Sequence, residues 1–149
     1  MKSVIRRAAV VGAATALTAT TFAGPASAAP TQDSSTSART YYGALALNTR
    51  TLGVGTYNDA KTRAGAEKLA LLRCKSRSYG SYCKKVVWVS NGCASIAIKY
   101  DSKNRPVRYA SAYGKYKAST ISLAKKRAQG PTTNGYVRTR VWLCTTRYY

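Results

Sequence analysis

Histidine is missing from all 149 residues, and acids nearly so: Asp33, Asp59, Glu67 and Asp101 stand against 25 Lys and Arg, for a net charge of +21. Without His there is no imidazole base and no His-ligated metal. Four scattered acids do not supply the two converging carboxylates of a glycoside hydrolase. The chain has no Gly-rich phosphate loop, no nucleophile elbow and no C-x-x-C pair, which excludes the commonest phosphate, serine-hydrolase, zinc and redox motifs. Ser and Lys are plentiful but form no recognisable dyad. These gaps predict a protein that is not an enzyme, needs no cofactor and binds no metal. Hydrophobic residues still make up 45%, which suits one globular domain rather than a disordered basic tail.

The only long uncharged stretch is at the N-terminus. Lys2, Arg6 and Arg7 precede an Ala-rich run from Ala8 to Phe22, and Ala26-Ser27-Ala28 is a small-x-small cleavage site. Residues 1–28 therefore read as an export signal. The run is too short, and too rich in Thr, for the ~20 apolar residues of a membrane span. Cleavage removes three cations and no acid, leaving +18. Residues 29–40 are Ser/Thr-rich and read as a flexible leader. The expected product is a secreted, soluble protein, extracellular or cell-wall associated, with no transmembrane segment.

Residues 41–149 read as one duplicated domain. Val86-Val87-Trp88 matches Arg140-Val141-Trp142 at an offset of 54, and Ala70–Arg73 matches Ala124–Arg127 at the same offset. The opening strands, Ala44–Leu47 and Ser95–Ile98, match at 51, which places an insertion in the hairpin that follows. Each unit reads as strand, strand, helix, strand. The strands are expected near residues 42–47, 52–57, 84–89, 94–100, 107–113 and 137–145, and the helices near 62–76 and 119–129. Ser119 or Thr120 is the expected N-cap of the second helix, and Gly130-Pro131 its stop. The fold class is α+β: two tandem units forming one small antiparallel sheet covered by helices and stapled by disulfides.

Asn91-Gly92 between two β-rich runs predicts a type I′ hairpin. Its register would set Val89 opposite Ala94 and Cys83 opposite Tyr100. One face would then hold Val87, Val89, Ala94, Ile96 and Ile98, and the other Lys84, Val86, Trp88, Ser95, Ala97 and Lys99. The last strand would split into Val137, Thr139, Val141 and Leu143 against Arg138, Arg140 and Trp142.

The four cysteines, Cys74, Cys83, Cys93 and Cys144, suggest two disulfides in an exported chain. The counterparts of Cys74 and Cys83 are Ala128 and Val137, so both are lost together, as expected of a bonded pair. The hairpin register would hold Cys83 and Cys93 too far apart for a bond. These points favour Cys74–Cys83 with Cys93–Cys144. The rival, Cys74–Cys93 with Cys83–Cys144, stays open.

The opening YYGALAL, the helix RAGAEKLALLRC, the segment CKKVVWVSNGCASIAI and the closing VWLCT resemble the secreted bacterial family catalogued as domain of unknown function 4189. The resemblance spans nearly all of Tyr41 to Thr146. It implies export, disulfide bonding and duplication, and assigns no catalytic residue. It also implies a helix–strand cysteine pair in the second half, which Ala128 and Val137 replace here.

The charge points to polyanions: cell-wall glycan, nucleic acid or an anionic lipid surface. Lys84, Lys99, Arg138, Arg140, Trp88 and Trp142 are expected on one sheet face, where aromatics and cations would make a stacking platform. The competing expectation is that helices cover this face, or that the tryptophans merely bury cationic stems. The alternative function is a protein-binding module, such as an inhibitor of a secreted enzyme, with an acidic protein partner. The short Ala/Lys-rich helices do not suit membrane disruption.

Overall fold

The computed structural model describes residues 39–78 and 81–146. The expected export signal over residues 1–28, nearly all of the leader and Arg147 lie outside them. The elements are β1 (Tyr42–Asn48), β2 (Val54–Ala60), α1 (Arg63–Ser78), β3 (Cys83–Ser90), β4 (Cys93–Tyr100), β5 (Pro106–Gly114), α2 (Lys117–Gln129) and β6 (Tyr136–Cys144). Strand-strand-helix-strand is thus repeated, and the small α+β architecture is as expected.

Local chemistry explains the shifted boundaries. The Asn48 side chain accepts from the N–H groups of Arg50 and Thr51, and Leu52 sits at φ 60°, so β2 starts only at Val54. Thr62 caps α1 by accepting from the Gly65 N–H. In α2 the expected cap is wrong. The helix begins at Lys117, and the hydroxyls of Ser119 and Thr120 donate back to the Tyr116 carbonyl from inside the first turn. Gly130, at φ 62°, ends α2 where expected.

The expected single sheet does not form. There are two three-stranded antiparallel sheets, ordered β2-β1-β3 and β5-β4-β6. Asn91-Gly92 is not a hairpin but the crossing between them. A type I′ turn needs positive φ at both residues, and only Asn91 has it, at 44°. Asn91 extends the first sheet: its N–H donates to the Tyr41 carbonyl, and its side-chain oxygen accepts from the Tyr41 N–H. Gly92 extends the second: its carbonyl accepts from the Thr145 N–H, and its own N–H donates to the Thr145 hydroxyl.

A second correction concerns which residues share a face. In β3 the register with β1 shifts between Leu45↔Val87 and Ala46↔Lys85, so Val86 is an extra, bulged residue. In β6 the same shift between Ile96↔Val141 and Ala97↔Thr139 makes Arg140 the bulge. A bulge resets strict alternation. Lys84 and Trp88 therefore face opposite sides of their sheet, as do Arg138 and Trp142.

The inner faces of the sheets pack on each other through Leu45, Leu47, Val89, Ala94, Ile96 and Leu143. The outer faces carry the helices: α1 packs Ala66 and Ala70 on Ala44 and Ala46, and α2 packs Ala124 and Ala128 on Ala97 and Ala112. The layers run helix, sheet, sheet, helix. The helical seams are almost all alanine, which lets the helices sit close. Gly55 of β2 marks the closest approach, since a Cβ there would collide with the main chain of Ala70 and Cys74.

Both favoured disulfides form, Cys74–Cys83 from α1 to β3 and Cys93–Cys144 between β4 and β6. The hairpin held to separate Cys83 from Cys93 does not exist, so that ground for the pairing is gone. The joint loss at Ala128 and Val137 is the ground that holds. Cys93 and Cys144 are direct partners in the β4–β6 ladder, with Cα atoms 4.0 Å apart. Disulfides suit an oxidising compartment, and no helix among the described residues is long and apolar enough to cross a membrane.

Candidate functional site

The six residues expected on one platform are dispersed. Trp88 lies on β3 and Trp142 on β6, on the helix-bearing sides of two different sheets. They are 36% and 38% exposed. Lys84 and Arg138 are exposed on the opposite, inner sides, beyond the reach of the core. Arg140, at the β6 bulge, donates from Nε to the Leu52 carbonyl at 2.9 Å and so ties the two halves together. Lys99 is only 4% exposed. Its ammonium donates to the carbonyls of Gln129 and Thr132 and to the Thr132 hydroxyl. It neutralises the end of α2, where the helix dipole is negative, and is not available to a ligand.

Each tryptophan already has a cation on its ring. The Arg63 guanidinium lies 4.2 Å from the Trp88 ring centre, and the Lys117 ammonium 3.4 Å from that of Trp142. Such contacts contribute about 0.5–1 kcal/mol at exposed sites. Arg63 and Lys117 are the first residues of α1 and α2, and they are 54 residues apart, as are the tryptophans. The repeat offset was the signal in the sequence that would have found them.

A cleft borders each of the two tryptophans. One, of about 340 Å³, is lined by Arg63, Glu67, Lys85, Val86, Val87 and Trp88. The other, of about 360 Å³, is lined by Ile121, Thr139, Arg140, Val141 and Trp142. At the common offset, Glu67 becomes Ile121, Lys85 becomes Thr139 and Val86 becomes Arg140. The first cleft holds an ion-paired triad of net charge +1, with Glu67 2.8 Å from Arg63 and 2.9 Å from Lys85. The second has no acid among its lining residues.

Among the described residues the three acids, Asp59, Glu67 and Asp101, are all engaged within the chain. Hydrogen bonds from Lys85 and then from Arg63 hold the Glu67 carboxyl below the usual range. Asp101 is held low by the Arg105 backbone N–H first, helped by the Arg105 guanidinium and the Lys103 N–H. Asp59 accepts from Asn58 and from the Thr146 N–H. Among the described residues, ion pairs form only at Glu67 and Asp101. Lys61, Lys68, Lys75, Lys103, Lys125 and Lys126 are exposed and outside those pairs, and they are distributed over both halves.

Among the described residues no group of three or more His, Cys, Asp or Glu is gathered to hold a metal. No match was found among the curated proteins or among the solved structures. Residues 42–144 match the family model described as Domain of unknown function (DUF4189), and the chain belongs to that family.

Proposed function

We propose that this is an exported, non-catalytic module that binds anionic polymers, whether cell-wall glycan, nucleic acid or an anionic lipid surface. The observation that carries the reading is the imbalance of free charge. The three carboxylates beyond Tyr41 are all engaged internally, while Lys and Arg of both halves face outward. Such a surface has a positive field with no acidic counter-patch.

The dispersal of the six expected platform residues favours a diffuse surface over one stacking face. Polymer would be held by whichever cations face it. With about five contacts engaged, the counterion slope of roughly −0.9 per contact makes affinity fall by two to three decades between about 50 and 200 mM salt.

Retention of the oxidised protein on heparin-like and nucleic-acid matrices across a salt series is the test. Strong retention at low salt that collapses with salt is expected. No retention at low salt, or retention indifferent to salt, overturns the reading, and an acidic protein partner takes its place. Export is part of the same proposal, and the intact mass of protein from culture supernatant should begin at or within about two residues of Ala29.

A further inference from the structure

The two halves repeat most of their special contacts, and one place where they differ has the features of a ligand site. Edge strands β3 and β5 adjoin along one flank of the sheet pair, and β2 and β6 along the other. Between Tyr57 and Ala60, β2 carries two residues, Asn58 and Asp59. Between the matching Ala112 and Gly114, β5 carries one, Tyr113. Asp59, at φ 61°, uses the extra length to accept from the Thr146 N–H at 2.7 Å, which ties β2 to the chain leaving β6.

On the β3–β5 flank Tyr113 stands in that place and remains 65% exposed. Together with Trp88, Val89, Ser90, Asn91, Gly114 and Lys115 it lines a cleft of about 470 Å³, within the size range of small-ligand sites. The two rings give the cleft apolar walls. The bond from the Asn91 N–H to the Tyr41 carbonyl sets the phase of the β1–β3 ladder. In that phase Trp88 and Ser90 turn both N–H and C=O away from β1, toward the open edge. No acid lines the cleft, and Lys115 supplies one positive charge.

We infer that this cleft binds one sugar ring of an acidic, uronate-type glycan, which narrows the polyanion reading above and rests on it. The exposed Tyr113 ring, beside the part of Trp88 that Arg63 leaves uncovered, suits the apolar face of a pyranose. Its hydroxyls need donors and acceptors alternately, and the β3 edge offers both. Lys115 meets the carboxylate. A nucleic acid fits less well, because the base that would stack on these rings carries no anion, whereas a uronate ring presents its carboxylate on the same ring that stacks.

The test uses the full oxidised chain with three probes: polygalacturonate, inorganic polyphosphate and single-stranded DNA. Tyr113→Ala is expected to weaken polygalacturonate about tenfold, the size of one lost stacking contact, with polyphosphate changed less than about twofold. Lys115→Gln should also weaken polygalacturonate, and Tyr113→Phe should retain it. Tryptophan fluorescence should shift with polygalacturonate and not with polyphosphate. Far-UV circular dichroism and the thermal unfolding transition certify the fold of each variant, since charge-driven polyphosphate binding would survive unfolding. If Tyr113→Ala and Lys115→Gln both leave polygalacturonate binding intact while polyphosphate still binds, the cleft inference fails and the diffuse polyanion reading survives. If single-stranded DNA loses as much as the glycan, the cleft takes a nucleobase and the inference is overturned. If the unmodified protein binds none of the three at low salt, the polyanion reading fails as well.

Discussion

Lys99 and Thr132 are joined twice: the ammonium of Lys99 lies 2.7 Å from the Thr132 carbonyl oxygen and 2.6 Å from its hydroxyl. Together with the Gln129 carbonyl, these acceptors bury a full charge at the end of α2. Lys99→Met removes the donor and leaves the Gln129 and Thr132 carbonyls without their charged partner. Hydrogen bonds to charged groups contribute about 1.5–3 kcal/mol, so a loss of about 3 kcal/mol in urea unfolding is expected. Polyanion affinity and its salt slope should not change. A lower slope at unchanged stability would mean that Lys99 reaches the ligand after all.

Gly55→Ala should be among the most damaging single changes. The added Cβ meets the Ala70 carbonyl and the Cys74 main chain, which are helix backbone and cannot rotate aside. Overpacking of this kind costs about 1–3 kcal/mol or more. Thermal unfolding monitored by circular dichroism reads it. An unchanged Tm would show that α1 is free to lift from β2.

The two disulfides should stabilise unequally. Their sequence separations are 51 for Cys93–Cys144 and 9 for Cys74–Cys83. Chain entropy predicts about 4 kcal/mol for the first and about 3 for the second. Paired Cys→Ala variants compared by denaturant unfolding should preserve that order, and peptide mapping should find no Cys83–Cys144 link.

Acid should act late. The depressed carboxyls of Glu67 and Asp101 stabilise the fold fully above their unfolded values, near about 4. That contribution is lost as pH falls through the lower folded values. The Tm should therefore stay level from neutral pH to about 5 and drop below that. Glu67→Gln should lower the Tm slightly at neutral pH and make the acid drop shallower. A Tm that falls between pH 7 and 5 contradicts this, since no His is present to titrate there.

Charge reversal separates a local from a diffuse anion surface. Arg138→Glu with Arg140→Glu should cost no more polyanion affinity than Lys125→Glu with Lys126→Glu, each about two contacts' worth of salt slope. A loss several times greater for the β6 pair would restore the single-platform expectation.

Composition, element order, duplication and cysteine pairing were legible because each is a local or repeated signal. Helical stretches rich in Ala, Gly130 as a stop and the offset of 54 need no knowledge of distant contacts. Sheet membership does need it. Asn91-Gly92 has the composition of a hairpin turn, yet Tyr41 and Thr145, 50 and 53 residues away, claim the hydrogen bonds of Asn91 and Gly92 and send the chain into a second sheet. The face assignments failed for a related reason. One extra residue at Val86 and another at Arg140 reverse the alternation, and a bulge is set by partner strands rather than by its own residue type. The burial of Lys99 likewise follows from where α2 ends over β4. Charge and periodicity can be read one residue at a time; which strand lies beside which, and which cation is covered, follows from packing across the whole domain.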